Sequence, residues 1–274
     1  GFVPSMRFLV SLWSSVSAVL DLTCSARSLT HAGVKSIRIH ENGGPEKLVF
    51  EDIPVPAPAA GEIRLRVEAA GLNFIDTYKR SGLYAVALPH TLGQEAAGVV
   101  TAVGAGVVDF RVGDRVASAA VTGACAEEAL APAAQCVPVP AGVSSQLAAA
   151  VMLQGLTAHY LACDTWPLRA GETALVHAAA GGVGLLLVQL AKRRGARVLA
   201  TARREERLED LARSVAIPMP HLAGNICDPE FRSRLVATAA ERLGGIDGVV
   251  AAAGGGAIGR FQDLAPDTFA RIMD

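Results

Sequence analysis

The chain has 274 residues, of which 51% are hydrophobic and 19% charged, and its formal net charge is −1. A chain of this length can bury about 75% of the surface that it exposes when unfolded, so this composition excludes a disordered protein. The near-neutral charge excludes a surface built to bind nucleic acid. Its five cysteines are widely spaced and predict neither a disulfide framework nor a metal knuckle, which favours the cytoplasm.

Residues 1–33 differ in character from the rest of the chain. Met6 and Arg7 precede an apolar run, residues 8–20, that is too short to span a bilayer as a helix. This pattern is similar to that of an organelle or secretory signal. The alternative, which we favour because a cofactor domain typical of the cytoplasm follows, is upstream read-through before a start near Val34.

Short strands are predicted next. The alternating segments KSIRIHE, from residue 35, and KLVFEDI, from residue 47, predict two strands joined by the turn Asn42–Pro45. A proline-rich link then leads into another alternating strand, residues 62–69. Short strands between glycine and proline residues are typical of a β-barrel-like domain.

Three separated motifs carry a family resemblance. They are AAGLNFIDTYKRSGLY from residue 69 with LPHTLGQEAAGVVTAVGAG from residue 88, then VMLQGLTAHYL at residues 151–161, and then VHAAAGGVGLLLVQLAK from residue 176. Over residues 35–206 the chain resembles zinc-independent medium-chain dehydrogenase/reductases of the NADPH:quinone oxidoreductase type. The resemblance implies an α/β protein with a GroES-like β-barrel-type domain, residues 34–150, and a Rossmann dinucleotide-binding domain, residues 151–274.

The resemblance also implies a site without zinc. Zinc-dependent relatives keep a cysteine where Asn73 stands here, and a histidine where the G-H-E motif is replaced by Gly93-Gln94-Glu95. A catalytic zinc needs three protein ligands and an open fourth position. Three histidines lie near these motifs, His90, His159 and His177, but they do not have the spacing of a ligand set. We therefore predict that no metal is bound.

Without zinc, the expected chemistry is hydride transfer from a nicotinamide to a quinone or an α,β-unsaturated carbonyl. The resemblance implies that Asn73, with the backbone from Phe74 to Tyr78, flanks the nicotinamide. It further implies that Tyr84 lines the substrate cleft and that Thr157 contacts the cofactor. Asn73 and Tyr84 are thus the catalytic candidates. Structural alternatives stay open: a turn-forming residue for Asn73, a buried aromatic for Tyr84 and a helix-capping hydroxyl for Thr157.

Residues 144–166 predict two helices, broken near Gly155, between the two domains. Ser144 or Ser145 is the expected N-cap, because a hydroxyl accepts from the free N–H groups of a helix start. We place the domain boundary close to Val151.

The segment from Glu172 to Arg204 predicts a nucleotide-binding unit. An apolar strand, residues 173–177, is followed by small residues and glycines, then by a helix, residues 185–194, and a second strand, residues 198–201. This order brings the amide N–H groups of the turn and the positive helix end to one point. A pyrophosphate can bind there.

The turn fits the pattern G-x-G-x-x-G with its first glycine replaced: Ala179, Gly181 and Gly184. Gly181 would let the backbone approach the phosphates, and Gly184 would let helix and strand pack closely. A plain tight turn that binds no ligand is the alternative. The predicted phosphate-binding residues are consecutive: Ala179, Ala180, Gly181, Gly182, Val183 and Gly184.

The end of the second strand indicates which dinucleotide binds. An acidic residue there would hold the ribose 2′-hydroxyl of NAD, but the chain continues with Arg203 and Arg204, and Arg207 follows. Guanidinium groups suit a 2′-phosphate, so we predict NADPH. The alternative is a solvated helix start in which these arginines pair with acidic neighbours: Glu205, Glu206 and Glu209.

After residue 206 the pattern changes and resembles a short-chain dehydrogenase/reductase. The similar pieces are ICDPE at 226–230, a helix at 231–243, a strand at 246–251 and AAAG at 251–254. The nucleotide turn also fits that family's spacing, G-x-x-x-G-x-G, with its first glycine lost. The Y-x-x-x-K that protonates the substrate in that family does not occur in the sequence.

We therefore expect an NADPH-dependent oxidoreductase that acts on quinones or α,β-unsaturated carbonyls. Its Rossmann sheet is expected to be incomplete, because the sequence stops before the last strands would arrive. Two alternatives stay open, a short-chain-type carbonyl reductase fragment and a non-catalytic NADP-binding fragment. The expected partners are a small-molecule substrate and, by resemblance, a second copy in a homodimer, without nucleic acid or membrane.

Overall fold

The structure is a computed structural model that describes residues 19–21, 33–54, 56–215, 219–244 and 248–251. These residues fall into two compact units. The first unit is Ser17–Leu153, and the second contains the described residues from Gln154 onward.

The first unit consists mainly of short strands. In chain order they are β1 Val19–Asp21, β2 Gly33–Ile39, β3 Val49–Pro54, β4 Glu62–Gly71, β5 His90–Thr91, β6 Glu95–Val103, β7 Arg115–Ser118, β8 Glu128–Pro132 and β9 Val137–Pro138. The larger sheet has the order β1-β4-β6-β7-β9, and β8 pairs with β4 beside β1. The smaller sheet has the order β3-β2-β5. The described strands of this unit pair antiparallel, and they form open sheets rather than a closed barrel.

The pattern of side chains along β4 explains why this strand lies at the centre. Ile63, Leu65 and Val67 are buried, whereas Arg64 and Arg66 alternate with them toward the other face. The buried side chains meet those of β6 and β7 in one core cluster. The alternation in the sequence therefore predicted this strand correctly, although it continues to Gly71.

The predicted pair of strands around the turn Asn42–Pro45 is confirmed. β2 and β3 pair antiparallel from Gly33 opposite Pro54 to Arg38 opposite Val49. A short 3-10 helix, Pro45–Lys47, completes the connection. Helix α1, Phe74–Ser81, follows β4 and ends at Gly82, whose φ of 84° is left-handed and favours glycine.

The prediction of two helices broken near Gly155 is wrong. Helix α2 is continuous from Ser145 to Tyr160, and a π-helical turn, Leu161–Thr165, follows it. A glycine inside a helix costs only about 1 kcal/mol, and burial of apolar residues on both sides of Gly155 offsets that cost. Ser144 is the N-cap, since its Oγ accepts a hydrogen bond of 3.2 Å from Leu147 N. The buried side chains before and after Gly155 are Ala148, Ala149, Met152, Ala158 and Ala162.

The second unit is a parallel sheet connected by helices. Its elements are β10 Thr173–His177, α3 Gly182–Arg193, β11 Arg197–Ala202, α4 Glu205–Ser214, β12 His221–Ala223, α5 Pro229–Leu243 and β13 Gly248–Ala251. The strand order is β12-β11-β10-β13, with each pair parallel. The predicted order of strand, turn, helix and strand is confirmed. Because the chain moves from β10 to β11 and β12 and then returns to the other side of β10, the order reverses beside β10.

Helix α5 buries one face of this sheet. Phe231 and Leu235 of α5 pack against Leu175 of β10 and Leu199 of β11. The helix and strand predicted within residues 226–251 are thus present, whereas AAAG extends beyond the last described residue. No helix in the described ranges has both the length and the apolar character to cross a membrane.

Candidate functional site

The turn between β10 and α3 lies at the carboxyl edge of the parallel sheet. Ala178 has a left-handed φ of 52°, and Gly181 N donates a hydrogen bond of 2.9 Å to Ala178 O. Ala179 N donates to Thr201 O of β11 over 3.0 Å, which ties the turn to the neighbouring strand. The strand order reverses beside this strand, and ligands of open α/β sheets bind at such a point.

The glycines of the turn have different physical roles. A Cβ atom added at Gly184 would lie 2.7 Å from Ala179 Cα, and one added at Gly182 would collide with the Gln154 amide. At Gly181 an added Cβ would meet a single atom within 4 Å, Ala178 O at 3.2 Å. Packing against backbone thus requires glycine at position 184, whereas the contact at Gly182 is with the end of a flexible side chain and the single contact at Gly181 is longer. Gly181 is the N-cap of α3, and the free N–H groups at the start of a helix can bind a pyrophosphate group.

The predicted arginines follow β11 at the same edge of the sheet. Arg203 and Arg204 are exposed, and Arg204 is the N-cap of α4. Arg207 is half-buried in the first turn of that helix. Within the described ranges neither Arg203 nor Arg204 forms an ion pair, and Glu209 pairs with Arg213 instead. The first two guanidinium groups are therefore open to an anion beside the glycine turn.

A buried carboxylate fixes Asn73 in the first unit. Asn73 Nδ2 donates a hydrogen bond of 2.7 Å to Glu95 Oε2, and Leu153 N donates to Glu95 Oε1 over 2.5 Å. Asn73 N donates to Asp76 Oδ2 over 2.9 Å, which starts helix α1. Gly93 N donates to Asp76 Oδ1 over 3.1 Å. Asn73 is thus more than a turn-forming residue, because its amide group is held by a separate strand.

Burial controls the electrostatics of this cluster. Glu95 is 2% and Asp76 5% exposed, and burial raises the pKa of both carboxyl groups. The hydrogen bonds from backbone N–H groups oppose that rise. Burial lowers the pKa of His90, and the nearby Lys79 ammonium lowers it further. In the part of the chain that the structure describes, no three His, Cys, Asp or Glu side chains converge to hold a metal.

Three aromatic side chains form a partly exposed surface beside this cluster. The Phe74 and Tyr78 rings stack with centroids 6.4 Å apart, and the Tyr78 and Tyr84 rings meet edge to face at 5.4 Å. Phe74 is 79% and Tyr84 40% exposed. The structural alternative for Tyr84, a buried aromatic, is therefore wrong.

The predicted site residues fall into two groups, one in each unit. Thr157 is half-buried inside α2, so it is not a helix-capping residue. It belongs to the second unit, as do the glycine turn and the arginines, whereas the Asn73 group belongs to the first. Four residues near these groups were not predicted from the sequence, because each has at least one neighbour that is distant in the chain: Asp76, Lys79, Glu95 and Gln154.

Two family models match the chain, and together they cover most of it. Residues 59–169 match the alcohol dehydrogenase GroES-like domain, and residues 172–274 match the short chain dehydrogenase. The second match begins before the glycine turn and continues through the region that resembles short-chain enzymes. The fold and these matches define a dehydrogenase/reductase with a GroES-like part and a Rossmann-like part.

Individual relatives indicate which type of dehydrogenase/reductase the chain is similar to. The chain is 49% identical to a quinone oxidoreductase of Pseudomonas aeruginosa over 175 residues, which are 63% of this chain and 54% of that protein. It is 42% identical to a 2-haloacrylate reductase of a Burkholderia species over 183 residues, 62% of this chain and 54% of that protein. The chain thus spans about half the length of the curated relatives it matches.

Solved structures agree with these relatives. A mycobacterial quinone oxidoreductase superposes with a TM-score of 0.74 at 40% identity, covering 81% of this chain and 68% of that one. The Escherichia coli quinone oxidoreductase complexed with NADPH gives 0.69 at 38% identity, covering 77% and 63%. The chain belongs to the medium-chain dehydrogenase/reductase family, in its quinone oxidoreductase type.

Proposed function

We propose that this chain is an NADPH-dependent oxidoreductase that transfers hydride to quinones or α,β-unsaturated carbonyls without zinc. The observation that carries the proposal is the glycine turn at the N-terminus of α3, at the same sheet edge as the exposed Arg203 and Arg204. The relatives support the reaction class by their names, and one of them was solved with NADPH bound.

In this proposal the turn from Ala179 to Gly184 binds the pyrophosphate through its backbone and through the first N–H groups of α3. Arg203, Arg204 and Arg207 bind the 2′-phosphate by charge-assisted hydrogen bonds. An acidic residue at the end of β11 would repel that phosphate, and none follows before Glu205. This arrangement therefore distinguishes NADPH from NADH.

In this proposal Asn73 and the backbone from Phe74 to Tyr78 flank the nicotinamide end, and Thr157 contacts the cofactor. When bound, NADPH supplies the hydride, and the residues of the chain orient the reactants. Glu95 and Leu153 fix Asn73 so that its amide keeps one position. Tyr84 and the other two aromatic side chains offer an exposed apolar surface for a planar substrate.

Zinc independence is part of the proposal. Asn73 and Gln94 stand where the resemblance places two zinc ligands, and their amide groups are occupied by Glu95 and Lys79. Amides are poor substitutes for the thiolate and imidazole ligands of a catalytic zinc. Metal analysis of the purified protein is expected to find far less than one zinc per chain, with activity unchanged by a chelator. Stoichiometric zinc would contradict the proposal.

The test of the whole proposal is a fluorescence titration with NADPH, followed by a simple quinone in the same cuvette. We expect saturable binding of NADPH, then its oxidation when the quinone is added. NADH is expected to bind more weakly. A clear preference for NADH would refute the cofactor assignment.

The match of residues 172–274 to the short chain dehydrogenase favours a second candidate, a carbonyl reductase. That reaction would reduce simple ketones, because a tyrosine general acid protonates the carbonyl oxygen in such enzymes. A panel of ketones, quinones and enones separates the two candidates. Tight NADPH binding without oxidation by any of them would instead indicate a non-catalytic binding fragment.

A further inference from the structure

Helix α1 carries a cation next to the Asn73 cluster. Lys79 Nζ donates a hydrogen bond of 3.2 Å to Gln94 Oε1, and the Lys79 side chain is half-buried. Gln94 immediately precedes Glu95, the residue that holds Asn73. Two consecutive residues of one segment therefore hold the Asn73 amide and the Lys79 ammonium, which brings two N–H donors to the start of β6.

The same helix presents the aromatic surface defined above. Tyr78, the neighbour of Lys79, meets Phe74 on one side and Tyr84 on the other. Tyr78 and Lys79 are consecutive residues of α1, so the aromatic side chains and the ammonium group belong to the same short helix. The first unit thus combines an apolar platform with a positive charge.

We propose that Lys79, held by Gln94, is a catalytic residue that stabilises the negative charge formed on the substrate carbonyl oxygen. The proposal rests on the proposed function and assigns to this ammonium group the electrostatic role that zinc plays in metal-dependent relatives. Preorganised donors directed at an oxyanion are usually the largest single contribution to such reactions.

The negative charge on the substrate oxygen arises because electron pairs shift through the enone when it accepts hydride. Hydride brings two electrons to the β-carbon of an enone, where a new C–H bond forms. The carbon–carbon π pair shifts toward the carbonyl, and the carbonyl π pair moves to oxygen, giving an enolate. The substrate is reduced by two electrons while NADPH is oxidised, and water supplies the proton that completes the product. Lys79 keeps its proton throughout and acts by its charge.

A structural role for Lys79 must be distinguished from this one. Its ammonium lowers the pKa of Asp76, so it also stabilises that buried carboxylate. Asp76 already accepts hydrogen bonds from Asn73 N and Gly93 N, which would remain after substitution of the lysine. Loss of a purely structural charge would lower the melting temperature without affecting an anion bound near Gln94.

The test compares Lys79→Met, Lys79→Arg and a control, Lys35→Met. Lys35 pairs with Asp52 on the surface of the smaller sheet over 2.5 Å, so the control removes a charge elsewhere in the same unit. Steady-state kinetics with a quinone give kcat and KM. Titration with 4-nitrophenol, whose ionised form mimics the enolate oxygen and absorbs visible light, reports oxyanion stabilisation without NADPH.

We expect Lys79→Met to lower kcat about 100-fold with a much smaller change in KM, and Lys79→Arg to recover part of the loss. Wild-type protein and Lys35→Met should lower the apparent pKa of bound 4-nitrophenol, whereas Lys79→Met should not. Equal phenolate stabilisation in Lys79→Met and wild type, or no stabilisation in wild type, would overturn the proposal. Failure of NADPH binding or quinone turnover in wild type would refute the proposed function instead.

Discussion

Substitution of two glycines in the nucleotide turn by alanine separates packing from ligand binding. A Cβ atom at position 184 would lie 2.7 Å from Ala179 Cα and closer still to the Ala178 carbonyl oxygen. Both contacts involve backbone, which cannot rotate away as a side chain can. At Gly181 the added atom would lie 3.2 Å from the Ala178 oxygen, with a φ of −87° that suits alanine.

The expected magnitudes follow from these distances. Overpacking costs about 1–3 kcal/mol, and replacing glycine in a helix by alanine returns at most about 1 kcal/mol. We expect Gly184→Ala to lower the free energy of unfolding by roughly 1–2 kcal/mol, or the melting temperature by about 2–8 °C. Gly181→Ala should lower the melting temperature less than Gly184→Ala, because its single contact is longer, while weakening NADPH binding at least about tenfold, because its methyl group lies at the N-terminus of α3.

Thermal unfolding and fluorescence titration with NADPH measure the two effects on the same samples. Gly142→Ala is not a suitable control, since its φ of 83° is left-handed and strains any side chain. The two turn variants serve as controls for each other. Equal melting temperatures for Gly184→Ala and wild type would refute the packing argument, and unchanged NADPH affinity in Gly181→Ala would refute the pyrophosphate assignment.

Three further predictions concern charge. Replacing Arg203 and Arg204 by alanine should weaken NADPH binding by about 1.5–3 kcal/mol for each lost charge-assisted hydrogen bond, with NADH binding unchanged. Arg213→Ala is the matched control. Equal losses for both cofactors would contradict the assignment of these arginines to the 2′-phosphate. Because burial raises the pKa of Glu95 above its ordinary 4.5, its stabilising contribution is present below pH 4.5 and is lost as pH rises through the raised value. Urea unfolding should therefore show that wild type loses stability relative to Glu95→Gln as the pH rises from 4.5 through the raised pKa of Glu95. Parallel pH profiles for the two proteins would contradict this prediction. Burial raises the pKa of Cys125 to about 12, so mass spectrometry after iodoacetamide treatment at pH 8 should find this thiol unmodified in the folded chain and modified in urea.

Local patterns in the sequence predicted the elements to which we assign cofactor binding. The apolar run before the glycines and the helical spacing after them correctly predicted β10, α3 and β11, because each depends on periodicity within a few residues. The arginines at the end of β11 predicted the cofactor for a similar reason, since the position of a ribose-binding residue is set by its distance along the chain from the turn.

Predictions from the local sequence were wrong where tertiary contacts outweighed the conformational propensity of a residue. Gly155 suggested a break in a helix that is continuous, because buried alanines and Met152 stabilise both of its halves. Tyr84 allowed a buried interpretation, but its ring is exposed and meets Tyr78 edge to face. Propensity describes a residue in isolation, whereas burial depends on the rest of the fold.

The sequence by itself determined the order of the elements and the glycine turn, and it is the basis of the NADPH proposal, since these depend on residues close together in the chain. Only the tertiary structure decided which side chains surround Asn73. Glu95 lies 22 residues from Asn73 and 58 from Leu153, and it joins them through a single carboxylate. Lys79 meets Gln94 across 15 residues. No sequence pattern encodes such pairs, because the register of β4 against β6 and the packing of α1 bring them within hydrogen-bonding distance.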